Sequence, residues 1–184
     1  MPDFTLLQWI LAALAAYFSG LSKAGLAGVG LLGVTLMAAA VPGKASTGIV
    51  LPLLIFADLI AASTFRAHVQ WNLLRRLAIP ICLGVVAGWV LLMVIPDAAF
   101  RPVIGGMVLV MLVVQFGRQQ FPRIDARLPH SPAFAWMAGL LAGTATMVAN
   151  AAGPIVSIFL LVLALPKHLV VHTMAWLFLF VNLF

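Results

Sequence analysis

The sequence predicts an all-α fold, a polytopic transmembrane helical bundle with inverted repeats and Gly-rich helix breaks. Hydrophobic residues make up 65% of the 184 residues, charged residues make up only 8%, and the mean hydropathy is +1.20. A water-soluble domain of this length cannot bury so much apolar surface in one core. The apolar residues also fall into long runs, and two stretches of the chain resemble each other. Lipid is therefore the expected solvent for much of the surface.

The apolar runs predict a single integral membrane domain, 1–184. A helix that crosses a bilayer needs about 20 mostly apolar residues. Seven or eight segments separate at polar or Pro/Gly-rich breaks, and they cover 5–19, 26–41, 46–63, 77–95, 103–116, 133–148, 153–165 and 169–184. Small-residue turns alone join the first segment to the second and the sixth to the seventh. Each of these pairs is either two spans or one hairpin that enters the membrane and returns.

The charges predict the orientation of the chain. Six of the ten basic residues lie in two connectors: Arg66, Arg75 and Arg76 in one, and Arg118, Arg123 and Arg127 in the other. This is the positive-inside pattern, so both connectors are expected on the cytoplasmic side of the cell membrane and the N-terminus outside. Nucleic acid is not an expected partner. No basic residue precedes the first apolar run, which favours a retained membrane segment over a cleaved signal peptide.

The internal repeat is the most informative pattern. The break 20–30 matches 143–153, and Leu54–Leu59 falls on Phe178–Leu183, which places Asp58 opposite Asn182. The first repeat covers about 5–117, and because it holds an odd number of segments the second copy enters the membrane inverted. That second copy is partial, covering about 133–184. We therefore expect a C-terminally incomplete chain rather than a naturally shortened protein.

The two breaks predict a binding site for a small anion. Interrupted helices present free backbone N–H groups and the positive ends of helix dipoles near the membrane midplane. Lys23 offers a cation, Ser22 a hydroxyl and Asn150 an amide, while glycines allow close approach. The candidate substrate-binding residues are Gly20, Ser22, Lys23, Gly25, Asn150, Gly153 and Pro154. Two alternatives remain open: the glycines serve helix packing, and Lys23 snorkels to the headgroups.

Asp58 and Asn182 are candidate coupling or structural polar residues. Asp58 is the only acidic residue well inside an apolar segment, where a carboxylate is costly. It could exchange a proton that drives transport, hydrogen-bond a broken helix, or pair with Lys23. Asn182 does not titrate, which favours the structural role. A proton or a sodium ion is the candidate coupling ion.

Other motifs indicate neither an enzyme nor a cofactor site. His68, His130, His168 and His172 lack metal-ligand spacing, so no metal site is predicted. No paired carboxylate, nucleophile with a base, or phosphate-binding loop occurs, so no catalytic residue and no cofactor are assigned. The pairs Gly84/Gly88 and Gly139/Gly143 have the spacing of small residues at contacts between membrane helices.

The order of the short motifs resembles the sulfite exporter TauE/SafE family (TSUP). The motifs are Ser19–Gly25, Pro42–Lys44, Phe56–Asp58, His68–Trp71, Gly84-x-x-x-Gly88, Asn150–Pro154 and Pro166–Lys167. The resemblance implies a cytoplasmic-membrane transporter of small sulfur-containing or organic anions, such as sulfite or sulfonates, and members with two complete repeats. An anion channel and a non-transporting membrane scaffold are the alternatives. Neither the direction of transport nor the oligomeric state follows from the sequence.

Overall fold

The computed structural model describes residues 4–23, 26, 29–41, 45–120, 131–163 and 165–184. These residues form eight α-helices: α1 (Leu6–Lys23), α2 (Gly30–Ala40), α3 (Ala45–Thr64), α4 (Trp71–Val94), α5 (Asp97–Gln120), α6 (Pro132–Ala149), α7 (Ala152–Val162) and α8 (Lys167–Leu183). Within the described ranges, α1, α3, α4, α5 and α6 are long and apolar enough to span a bilayer, and most of their residues are not buried inside the protein. The predicted polytopic helical bundle is confirmed.

The helices α4 and α5 are longer than their apolar runs. α4 has 24 residues, about 36 Å at the rise of an α-helix, so it exceeds a hydrocarbon core about 30 Å thick. Its first turns carry Arg75 and Arg76, which the sequence had placed in a connector. That placement is wrong because arginine is a good helix former and continues a helix beyond the apolar part. Arg123 and Arg127 lie outside the described residues.

Glycines allow α4 and α6 to pack closely, with the two helices running parallel. A Cβ on Gly84 would collide with the backbone of α6 at Leu140, and one on Gly143 would collide with the carbonyl oxygen of Ile81. The hydroxyl of Thr144 donates to the carbonyl of Gly84 at 3.1 Å. The predicted packing role of the small-residue pairs is confirmed at this interface.

The helices α1 and α2 form an antiparallel hairpin. Thr5 and Gln8 form a capping box at the start of α1, and Gln8 Nε2 donates to the carbonyl of Ala40 at 2.9 Å. At the other end, Ser22 packs against Gly30. α2 and α7 each have 11 residues, about 16 Å, so each is too short to cross the bilayer.

The first three helices and the last three helices have similar lengths in the same order. They have 18, 11 and 20 residues in α1 to α3, and 18, 11 and 17 in α6 to α8. α3 and α8 run antiparallel. Phe65, just after the end of α3, stacks on His172 near the start of α8 with ring centroids 5.5 Å apart, whereas Asp58, earlier in α3, contacts Asn182 near the end of α8. An inverted repeat requires this relation between its third helices.

The glycine contact between α4 and α6 gives a first testable prediction. Alanine normally stabilises a helix by about 1 kcal/mol relative to glycine, but overpacking costs about 1–3 kcal/mol or more. Gly143→Ala is therefore expected to lower the melting temperature of the detergent-solubilised protein. Gly105→Ala is the matched control on α5, since no atom lies within 4 Å of its Cβ position. Equal melting temperatures for the two variants would contradict the packing described here.

Candidate functional site

A cavity of about 400 Å³ lies where both chain breaks meet α8. The end of α1, the start of α2, the junction between α6 and α7, and one face of α8 all contribute to it. Its lining residues are Ser19, Ser22, Lys23, Gly30, Leu31, Val34, Leu54, Thr146, Asn150, Ala151, Ala152, Gly153, Pro154, Ser157, Lys167, Val170, Val171, Met174, Ala175, Phe178 and Asn182. The predicted site residues Ser22, Lys23, Asn150, Gly153 and Pro154 therefore line one cavity, although they come from opposite ends of the chain.

A buried ion pair lies at the wall of this cavity. Lys23 Nζ is 2.6 Å from Asp58 Oδ1, and Asn182 Nδ2 donates to Asp58 Oδ2 at 2.6 Å. The Asp58 side chain has no exposed surface, whereas that of Lys23 is 14% exposed. The ammonium also lies 4.3 Å from the centre of the Phe178 ring, within range of a cation–π contact. Lys23 thus bonds inside the bundle rather than snorkelling to the headgroups.

Asn150 holds the break between α6 and α7. It is the only non-glycine residue of the described chain with a positive φ, at φ 49° and ψ 33°, a left-handed conformation that asparagine tolerates. Its Nδ2 donates to the carbonyl of Thr47 at 3.2 Å, and the Thr47 hydroxyl donates to the carbonyl of Val148 at 3.2 Å. One of its two amide N–H groups is therefore engaged by α3.

Two short helices begin at the cavity. Gly30 and Leu31 start α2, while Ala152 and Gly153 start α7, and all four line the cavity. The first N–H groups of a helix have no partner within it, and the helix dipole is positive at that end. Pro154 lies in the first turn of α7, as predicted. Both N-termini thus add partial positive charge to a wall that already carries Lys23.

Two predicted site residues do not contribute to this wall. Gly20 is exposed on α1 and does not line the cavity, and Gly25 lies outside the described residues. The sequence missed Lys167, Thr146 and Ser157, which do line it. In the predicted match of 20–30 with 143–153, Thr146 falls opposite Lys23, so that match contained a signal for it.

A second cavity, of about 490 Å³, shares part of its polar lining with the first. Thr47, Gly48 and Leu51 of α3 line it together with residues of α4. Thr146, Asn150 and Asn182 line both cavities. These three residues therefore adjoin both spaces.

Three histidines that look scattered in the sequence lie together. The ring centroids of His68 and His168 are 5.7 Å apart, those of His68 and His172 are 5.6 Å apart, and those of His168 and His172 are 6.4 Å apart. The connector between α3 and α4 is packed here against the start of α8. Among the described residues no group of three or more histidine, cysteine or acidic side chains has a geometry that could hold a metal ion.

Comparison with protein families identifies the chain. The family model described as TauE, sulfite exporter TauE/SafE, matches residues 11–184. The chain belongs to the sulfite exporter TauE/SafE family. It is thus a multi-pass protein of a membrane transporter family, and the resemblance seen in the sequence is confirmed. Searches of curated proteins and of solved structures gave no match.

The buried ion pair gives a second prediction, on stability. Lys23→Met leaves the unexposed Asp58 carboxylate without a counter-charge, and removing one partner of a buried pair costs about 3–5 kcal/mol. The double variant Lys23→Met/Asp58→Leu removes both charges and is expected to recover most of this loss. Thermal unfolding in detergent is measured for the wild type, for Lys23→Met, for Asp58→Leu and for the double variant, which together form a double-mutant cycle. Additive effects would contradict the pairing.

The conformation of Asn150 gives a third prediction. Asn150→Gly keeps a residue that tolerates positive φ, while Asn150→Ala adds about 1–2 kcal/mol of left-handed backbone strain. Both variants lose the bond to the Thr47 carbonyl. Their difference therefore reflects the backbone, where the left-handed strain of alanine outweighs the unfolded-state entropy of glycine, about 0.4–1 kcal/mol. Asn150→Ala is expected to melt at the lower temperature, and the reverse order would show that the break is not held in this conformation.

Proposed function

We propose that this member of the family transports small sulfur-containing or organic anions, such as sulfite or sulfonates, across the cell membrane. The observation that carries the proposal is the Lys23 ammonium at the wall of a cavity where the N-termini of α2 and α7 also begin. A cation and two positive helix ends at one place favour an anionic ligand. Ser22, Asn150, Gly153 and Pro154 complete the binding site.

The lining of the cavity refines the substrate class. Apolar side chains form the larger part of the wall, with polar groups at a few places, which is typical of sites for organic ligands. A volume of about 400 Å³ compares with about 30 Å³ for a water molecule in the liquid, so a bare inorganic oxyanion would leave most of the space unfilled. We therefore favour a sulfonate with a hydrocarbon portion over sulfite itself.

Alternating access follows from the repeat. We take α1 to α3 and α6 to α8 as the corresponding parts of two inverted copies, covering about 5–117 and, in part, 133–184. Three observations support this: the helix lengths follow the same order in both parts, α3 and α8 are antiparallel, and Asp58 contacts its repeat partner Asn182. Rocking of one copy against the other would open the two cavities in turn, and Thr146, Asn150 and Asn182 line both of them.

The orientation proposed for the chain places the N-terminus outside. The connector with Arg66 and the segment with Arg123 and Arg127 then face the cytoplasm. The His68 cluster, which belongs to the first of these connectors, lies on the same side. Single-cysteine labelling at Thr5 and at Arg66 with a membrane-impermeant reagent tests this assignment in intact cells.

Transport in proteoliposomes gives the fourth prediction. The purified protein is expected to catalyse saturable counterflow of labelled 1-propanesulfonate or sulfite. Lys23→Ala removes the charged partner of the anion, a contact of about 1.5–3 kcal/mol, and should weaken apparent affinity by about tenfold or more. Arg101→Ala, an exposed cation of α5 away from the cavity, is the matched control and should behave as wild type.

Three outcomes would contradict the proposal in different ways. Flux of these anions without counterflow would indicate a channel, because a channel does not exchange substrates in a saturable manner. No flux of either anion through the folded protein would indicate a scaffold. Counterflow unchanged in Lys23→Ala would remove Lys23 from the binding site while leaving transport in place.

A further inference from the structure

Lys23 is already paired in this structure, and this determines how an anion can bind. Its Nζ lies 2.6 Å from Asp58 Oδ1, so an incoming anion competes with a carboxylate for one ammonium. We infer that anion transport is coupled to a proton carried by Asp58, with the anion on Lys23 and the proton on Oδ1 moving through the cycle together. This inference rests on the proposed function and deepens it by naming the coupling ion and the atom that carries it.

The charge balance of the site favours this exchange. With Lys23 protonated and Asp58 ionised, the pair is neutral. A monoanion that binds Lys23 leaves a buried negative charge behind on Asp58, which is strongly unfavourable away from water. One proton taken from solution onto Oδ1 restores neutrality, because the site then holds the anion, the ammonium and a neutral carboxyl group. Release of the anion and of that proton re-forms the original pair.

The geometry assigns the proton to one oxygen. Asp58 Oδ2 accepts a hydrogen bond from Asn182 Nδ2 at 2.6 Å, which stabilises negative charge on that oxygen and favours Oδ1 as the site of the proton. Oδ1 has no hydrogen-bond partner among the described residues besides the ammonium contact. Since Asp58 has no exposed surface and Lys23 lines the cavity, the ammonium covers Oδ1. Movement of Lys23 toward an anion opens that oxygen to protonation, so binding the anion and binding the proton are one event.

Among the described residues, no second acidic side chain lies within the helices packed against α3, and the further cation that lines the cavity is Lys167. The helices packed against α3 are α1, α2, α6 and α8. Within their bounds α2 and α6 carry no acidic, basic or histidine side chain, and α1 carries only Lys23 together with Tyr17. On α8 the titratable residues are Lys167, His168 and His172, at least ten residues before Asn182 and thus about 15 Å or more away along the helix.

A purely structural ion pair makes a different prediction for Asp58→Asn. If the pair only holds α1 against α3, the variant is less stable and its transport remains as sensitive to pH as that of the wild type. If Asp58 carries the proton, transport by the variant should no longer depend on pH. If Asp58 competes with the anion for Lys23, as this coupling requires, added 1-propanesulfonate should also raise the melting temperature of the variant more than that of the wild type. This thermal shift is independent of any transport measurement.

The deciding experiment uses proteoliposomes and 1-propanesulfonate, a strong-acid anion whose own charge does not change across the physiological pH range. In the wild type with the membrane potential clamped to zero, a gradient of one pH unit should drive about tenfold accumulation, as expected for one proton per anion. Asp58→Asn should lose this accumulation while exchange across the membrane continues independently of pH. Asp97→Asn, an exposed carboxylate at the start of α5, is the matched control and should accumulate as wild type.

The outcomes separate this inference from the proposed function. Counterflow by the wild type that drives no accumulation under a pH gradient, or that responds to a sodium gradient instead, overturns the proton coupling alone. Accumulation by Asp58→Asn equal to that of the wild type does the same. Absence of counterflow for both 1-propanesulfonate and sulfite overturns the proposed function itself. Should Asp58→Asn not fold, a pH dye inside wild-type vesicles decides, since one proton must enter with each anion.

Discussion

The carboxylate of Asp58 is the constraint on which the centre of this structure depends. It has no exposed surface within an apolar bundle, so the protein itself must supply the partners that water would otherwise provide. The ammonium comes from the end of α1 and the amide of Asn182 comes from α8, so three helices have to meet at one point. The cavity lies at the same point because α1 ends there and its chain turns back as α2.

Packing of small residues positions the second half of the cavity. α6 lies close against α4 through Gly84 and Gly143, and this contact fixes where α6 ends. Asn150 then turns the chain in a left-handed conformation and bonds to the start of α3. The α4–α6 contact thus forms a scaffold, whereas α2 and α7 begin at the cavity. Discontinuous helices whose ends face a central site are typical of inverted-repeat transporters.

Local sequence patterns predicted the helices well and the tertiary contacts only in part. Hydropathy located all eight helices of the described chain, and the Gly-rich breaks predicted the regions that line the cavity. The lengths of α4 and α5 were underestimated because polar residues continue a helix beyond the membrane core. The cluster around His68 was missed because periodicity says nothing about which connector packs against which helix. For the same reason the sequence left three roles open for Asp58, and only the fold shows its pairing with Lys23.

The difference between the two repeats has a physical reason if the proposed duplication is correct. Residues that correspond through a two-fold axis can touch only near that axis, and Asp58 touches Asn182 there. A second carboxylate at position 182 would put two like charges side by side in an apolar interior, which is strongly unfavourable. An amide at that position instead donates a hydrogen bond to the carboxylate. Likewise Thr146 corresponds to Lys23, so the second copy adds a neutral hydroxyl where the first adds a cation. Both copies can contain the same helices, but only one ion pair fits at the axis between them. The site must therefore be chemically asymmetric.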